Sequence, residues 1–437
     1  MEINPLWMFA LLLFFMMCGY SVGFVMGGTA LLVGLLTFGP GIVDILVDRV
    51  FHYQTHYLLI ACPLFLLMGQ VLGQSGLVDN LYGALHVWMG RLRGGLAVAT
   101  VTICTIFAAA TGIVSSSVVA MGLIAFPSML KRGYDKKLAG GSVMAGGALG
   151  VLIPPSVLLV LFGVVAEMSV GKLFFACFVP GLVLSSLYIG YILLRSFLQP
   201  EIAPAVPEEE TRIPITQKVS LLVKAIIPPV LLIVSVLGSI LFGVATPTEA
   251  AGVGAVGAII ITAFNRRLNW PVIKNSLFVA VRTWGMICII VFGATSFVGV
   301  FTVLGGGKMI EDVMMGLPFG TTGSLIVMLL ILFILGMFID PGGIVMLCAP
   351  LFVPIAVTLG FNQLWFAVVF NLVLQMSFLT PPFGFALFFL KAVAPPGVTM
   401  VDLIKGGVPF VGLQAIGTGV IIAFPVLALW LPGLMIS

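Results

Sequence analysis

Four short stretches place hydroxyls, glycines and prolines inside otherwise apolar sequence. The first holds Thr111, Gly112, Ser115, Ser116 and Ser117, and the second holds Gly150, Pro154, Pro155 and Ser156. The third holds Asp340, Gly342 and Gly343, and the fourth holds Gln375, Ser377, Thr380, Pro381 and Pro382. Hydroxyl oxygens, glycine backbone and carbonyls freed by proline are the neutral oxygen ligands that suit a hard monovalent cation such as sodium. Helix N-termini in the same stretches favour an anion. A single Ser or Thr in a helix ordinarily bonds back to the carbonyl at i−4; two matched clusters point to function. Asp340 is the one acid deep in an apolar run, and it reads equally as a charged ligand or as a helix N-cap. Glu249, in Thr246-Pro247-Thr248-Glu249, reads as an early-turn acid behind a helix start.

Other chemistries lack their residues. No H-E-x-x-H and no phosphate-binding glycine loop occurs, and the serines have no partner histidine in a broken segment. His52, His56 and His86 form no metal-ligand pattern, and the six cysteines are scattered singly, as buried helix residues would be. The chain therefore reads as a non-enzyme without an organic cofactor, driven most simply by an ion gradient.

The elements that must position these clusters follow from composition. Of 437 residues, 61% are hydrophobic and 8% charged, against about 25% charged in a soluble domain. A soluble particle of this size cannot be covered by so few charges, which leaves an all-α polytopic membrane protein. At about 20 residues per crossing, the length allows roughly ten to fourteen helical segments. Apolar runs predict helices at 6–22, 23–38, 57–73, 173–198, 220–242, 248–264, 277–304 and 407–431. Regions 94–167 and 320–394 are apolar but repeatedly broken, and 199–217 is the one plausible linker, carrying Glu208-Glu209-Glu210. The N-terminal apolar segment reads as a retained helix rather than a signal peptide.

An offset of 227 aligns the two halves: Pro127 with Pro354, Gly133 with Gly360, Tyr134 with Phe361, Asp135 with Asn362, and Pro154-Pro155 with Pro381-Pro382. This is an internal repeat. The first half counts as five net crossings, an odd number, so the second half begins on the opposite side of the membrane and the repeat is inverted. Taking 91–95 and 131–137 as cytoplasmic puts fourteen Lys and Arg inside and three (Arg49, Lys172, Lys308) outside, with both termini outside. Leu77, Leu81, Leu85 and Trp88 share one helical face, as do Ile310, Val313, Met314 and Leu317; they read as interfacial arms or as ordinary loop turns. Broken helices at membrane depth persist only where they line a cavity or are buried in protein, and paired ones in inverted repeats point to a transporter site near the midplane.

The residues Thr111-Gly112 through Pro127, Lys131-Arg132-Gly133-Tyr134-Asp135, Leu149 to Ser156 and Phe178-Val179-Pro180-Gly181 resemble the large membrane subunit of TRAP (tripartite ATP-independent periplasmic) transporters, the DctM-like branch of the ion transporter superfamily. Thr246-Pro247-Thr248-Glu249-Ala250-Ala251 and Thr380-Pro381-Pro382-Phe383-Gly384 share the resemblance, which runs nearly the whole chain. Many members carry Ser-Gly-Ser-Ser where this chain has Thr111-Gly112-Ile113-Val114, with Ser115, Ser116 and Ser117 one turn later.

The resemblance implies a sodium-coupled importer of organic acid anions in the bacterial inner membrane, working as an elevator. Its partners would be a small four-helix membrane subunit and a periplasmic substrate-binding protein. Two re-entrant hairpins and two broken helices would form the transport domain, in segments 94–170 and 320–397. Segments 1–93, 171–304 and 398–437 would form the scaffold, with arms at the end of the first and at 305–319. Sodium would sit with Thr111, Gly112, Ser115, Ser116, Gly150 and Pro154 at one site. The second would use Asp340, Gly342, Gly343, Thr380 and Pro381. The substrate would lie between, near Ser117, Pro155, Ser156, Gln375, Ser377 and Pro382. The alternatives are an autonomous anion carrier without a binding protein and a non-transporting scaffold subunit.

Overall fold

The structure is a computed structural model that describes residues 4–207, 213–318 and 320–435. Glu208, Glu209, Glu210 and Arg212 of the linker lie outside the described residues. All regular structure among the described residues is helical. The first half runs α1 (Trp7–Met17), α2 (Val22–Phe38), α3 (Ile42–Gln54), α4 (Ala61–Gln74), α5 (Leu77–Met89), α6 (Gly95–Thr111), α7 (Val114–Lys131), α8 (Lys136–Ala148), α9 (Val157–Val165) and α10 (Val170–Leu198). The second runs α11 (Ile215–Leu241), α12 (Pro247–Phe264), α13 (Trp270–Val303), α14 (Gly306–Met315), α15 (Gly320–Gly336), α16 (Pro341–Thr358), α17 (Gln363–Ser377), α18 (Phe385–Val393), α19 (Met400–Ala423) and α20 (Val426–Leu429). Among the described residues, eight helical spans are long and apolar enough to cross a membrane.

The repeat is visible in the elements. Val114 and Pro341, which open α7 and α16, stand at the 227 offset, as do the last residues of those helices, Lys131 and Thr358. Lys136 and Gln363 open α8 and α17, each behind a capping side chain: Asp135 accepts from the Lys137 N–H at 3.2 Å, and Asn362 from Leu364 and Trp365 at 3.0 and 3.1 Å. Both Pro-Pro bonds are cis. Hairpins α6–α7 and α15–α16, and broken helices α8/α9 and α17/α18, follow in the same order.

Three local expectations need correction. Residues 42–54 form α3, an additional helix, and α3 with α4 together match the single helix α13 of the other half. Asp44, Asp48, Arg49 and His52 interrupt the apolar run there, because α3 is amphipathic and half exposed. The C-terminal run breaks at Phe424-Pro425 between α19 and α20, where proline cannot continue the hydrogen-bond ladder. Cys18 is exposed at the end of α1, whereas Cys62, Cys104, Cys177 and Cys348 are buried. Both arms, α5 and α14, are helices, and α5 buries Leu77, Leu81 and Leu85. Glu249 completes a capping box with Thr246, its carboxylate accepting the Thr246 N–H at 2.8 Å.

The helices pack as two groups. One joins α2, α3 and α4 to α12 and α13, with α11 on α12. Its closest approach is glycine on glycine: a Cβ at Gly293 would overlap the Gly23 backbone, and one at Gly23 would lie 2.8 Å from the Ile289 carbonyl oxygen. The other group gathers the hairpins and broken helices. There α9 packs on α16 and α18 on α7, so the short helix beyond each break rests on the hairpin of the opposite half. Helices α10 and α19, expected among the scaffold, pack against α6, α8, α9 and α17. Small residues permit this: Gly141 meets the Gly406 carbonyl and the Phe410 ring, and Gly417 meets Leu184.

Candidate functional site

At the first hairpin tip α6 ends on Gly112, whose φ of +63° only glycine adopts freely. A Cβ there would overlap the Pro155 carbonyl oxygen and lie 3.1 Å from the Ser156 Cα. The tip is thereby seated on the break of the first broken helix. Gly150 faces the Ile113 backbone at 3.4–3.5 Å from its would-be Cβ. The buried Thr111 hydroxyl donates to the Phe107 carbonyl at 3.0 Å and lies 3.3 Å from the Ser117 hydroxyl. Ser156 donates to the Val151 carbonyl at 2.8 Å. Ser116 turns the other way and accepts a 3.2 Å hydrogen bond from the Gln70 amide of α4.

At the second tip Asp340 caps α16, one carboxylate oxygen accepting from the Gly342 N–H at 3.1 Å and the other from Gly343 at 3.2 Å. The cap reading is thus realised in the geometry. The Phe383 N–H donates to the Met337 carbonyl at 3.2 Å, tying the second break to its hairpin. Thr380 and Ser377 bond back to the carbonyls of Met376 and Leu374. Gln375 is fully buried with neither amide atom partnered, and Asn371, one turn earlier, leaves its Oδ1 unpartnered. The two breaks differ in environment: Pro154 and Pro155 are buried, while Pro381, Pro382 and Phe383 are exposed.

Between the tips lies a cleft of about 220 Å³. Gly112, Val114 and Ser115 line it from one hairpin, and Asp340, Pro341 and Gly342 from the other. Val157 and Leu161 of α9, Phe385 and Phe389 of α18, and Thr283 and Met286 of α13 complete the wall. Val114, Val157, Pro341 and Phe385 are the first residues of α7, α9, α16 and α18. Four helix N-termini therefore converge on one cleft, each equivalent to roughly half a positive charge.

Of the residues singled out from sequence, Gly112, Ser115, Asp340 and Gly342 line the cleft. Thr111, Ser117, Gly150, Pro154, Pro155 and Ser156 are buried around the first tip, while Gly343, Gln375 and Ser377 are buried around the second. Thr380, Pro381 and Pro382 stand at the outer side of the second break. Sequence reasoning missed the apolar wall and Thr283. The wall carries no residue-type signal, and Thr283 is a lone hydroxyl beside Arg282 in a helix otherwise read as a plain crossing.

The family model described as the DctM component of the tripartite ATP-independent periplasmic transporters matches residues 9–427. A C4-dicarboxylate TRAP transporter large permease protein, DctM, of Pseudomonas aeruginosa is 32% identical over 399 residues, 91% of each chain. The ectoine TRAP transporter large permease protein TeaC of Halomonas elongata is 26% identical and covers 92% of this chain and 93% of its own. Among solved structures, the Alcanivorax borkumensis YdaH transporter superposes with a TM-score of 0.61 at 16% identity, over 90% of this chain and 91% of that one. That likeness speaks for the fold alone. With a family match over nearly its whole length, this chain belongs to the large-permease (DctM) family of TRAP transporters.

Proposed function

We propose that this chain is the translocation subunit of a sodium-coupled importer of organic acid anions, resident in the bacterial inner membrane with both termini periplasmic. It works with a small membrane subunit and a periplasmic binding protein. The observation that carries the reading is the convergence of four helix N-termini on the cleft between the hairpin tips. Such a cleft attracts a carboxylate without committing a Lys or Arg to hold it permanently. Its apolar wall excludes water and strengthens that attraction.

Asp340 opposes it. Its carboxylate lines the same cleft, so an anion gains most when a cation accompanies it. The residue types fit sodium: neutral hydroxyl and carbonyl oxygens occur at both tips, and on α17 the buried Asn371 Oδ1 and Gln375 Oε1 lack any partner. Orphaned buried acceptors cost about 1–3 kcal/mol each, a cost that a bound cation or water removes. Sodium supplies the charge that lets cleft and anion coexist; the chain supplies the N-termini, the oxygens and the dry wall. We assign the moving body to α6–α10 and α15–α19, the helices that pack with the hairpins and broken helices, sliding against α2–α4 and α11–α13. The unequal burial of the two breaks supports one end state of such a movement.

The test is uptake into proteoliposomes holding this chain and its small subunit, with an organic acid mixture and an inward sodium gradient, with and without the binding protein. Accumulation that needs both sodium and binding protein is the expected result. Accumulation without the binding protein would make the chain an autonomous carrier, and indifference to sodium would overturn the coupling.

A further inference from the structure

We propose a binding site for an anionic phospholipid headgroup at the junction of α8, α10 and α19. A pocket of about 80 Å³ opens where α8 begins, α10 ends and α19 begins. Lys137 of α8, Arg195 of α10 and Lys405 of α19 line it, with Tyr191, Asp135 and Ile202. Three cations from three separate helices thus meet in one concavity. Among the described residues none of the three side chains makes an ion pair or a hydrogen bond, and the one carboxylate that lines the pocket with them is that of Asp135. Asp135 caps α8 through the Lys137 N–H, and Asp402, close enough to Lys137 to feel its charge, is held in a capping box with Thr399. An anion is the missing partner.

The surroundings identify the source of that anion as a lipid. Leu194, Phe197 and Leu198 of α10 are 59%, 75% and 66% exposed, and Val401 and Val408 of α19 are 55% and 62% exposed. These apolar side chains flank the cations on the same two helices, giving acyl chains a surface beside the headgroup. A free phosphate has no use for that surface. The Lys and Arg distribution puts the pocket on the cytoplasmic side, where anionic lipids attract basic residues, and basic pockets between transmembrane helices take lipid headgroups. The linker closes one edge: the Asp135 N–H donates to the Ile202 carbonyl at 2.8 Å, and the Gly94 N–H to that of Ala203 at 3.0 Å. The site is independent of the substrate assignment, because none of its residues lines the cleft.

Native mass spectrometry of the full chain, with any membrane subunit that co-purifies, tests it. Mixed micelles would hold equal amounts of phosphatidylglycerol and phosphatidylcholine. The expected result is selective retention of phosphatidylglycerol, weakened about fivefold by each of Lys137→Gln, Arg195→Gln and Lys405→Gln. Lys172→Gln with Lys308→Gln, at the opposite end of the molecule by the charge count, leaves retention unchanged. A photoactivatable phosphatidylglycerol should crosslink to 194–198 or 401–408. Thermal melts in lipid-free detergent confirm that the variants fold. Equal retention of both lipids, or crosslinks confined to other helices, would overturn the proposal. So would competition by millimolar inorganic phosphate that abolishes lipid selectivity, since that gives the pocket to a free anion.

Discussion

Gln70 of α4 and Ser116 of α7 are joined by a 3.2 Å hydrogen bond from amide to hydroxyl, across the boundary between the two helix groups. Immediately beside them, a Cβ at Gly69 would lie 2.8 Å from the Thr111 carbonyl oxygen, so the groups touch backbone to backbone at the first tip. The Ser116 hydroxyl is therefore engaged by the outer group in this arrangement.

Replacing Gln70 with Ala removes that restraint. A hydrogen bond of this kind is worth about 0.5–1.5 kcal/mol net, so the sodium concentration for half-maximal uptake should fall roughly two- to tenfold if cation binding must release Ser116. Sodium titration of uptake measures it; a half-saturation that rises would show the bond to support the site.

Gly112→Ala should abolish uptake without unfolding the chain. The left-handed backbone costs a residue with a Cβ about 1–2 kcal/mol, and the overlap with the Pro155 carbonyl adds to it. The tip must lift from the break, which disturbs the cleft directly. Uptake below a tenth of wild type with a melting temperature only a few degrees lower is the expected pair of results.

Asp340→Asn separates cap from charge. The amide retains one acceptor for the helix N-terminus, so folding is little changed. The cleft loses a negative charge, worth about 1–2 kcal/mol to a nearby ion at an effective dielectric near 20. Half-saturation should rise for sodium and fall for the organic anion, each roughly five- to thirtyfold. A pure cap would leave both constants where they are.

In the outer group, Gly293→Leu should destabilise the chain by about 1–3 kcal/mol by forcing α2 from α13. Gly285→Leu on the same helix, where nothing lies within 4 Å of a Cβ, should be neutral. Thermal melts of the two side by side decide it.

Much of the fold was legible because periodic signals survive in sequence. The Pro-Pro pairs, the Gly-aromatic-Asp/Asn turns and the offset between them locate both hairpins and both breaks, and the structure opens α7 and α16 at positions related by that same offset. What escaped was whatever depends on an amphipathic or tertiary environment. Helix α3 is interrupted by Asp44, Asp48, Arg49 and His52 and so carries no long apolar run. The company kept by α10 and α19 is set by Gly141, Gly406 and Gly417, whose role shows only once a facing side chain is known. At the site, the hydroxyls were found by type, but Val114, Val157, Pro341 and Phe385 matter through the helix ends they mark, and residue type does not announce that.

The crossed packing of α9 on α16 and α18 on α7 makes the two repeats mechanically inseparable. One half could not be swapped for a copy of the other without remaking both foreign contacts at once. A change of shape in either half is therefore answerable to its twin, although their surfaces differ, one break buried and one exposed.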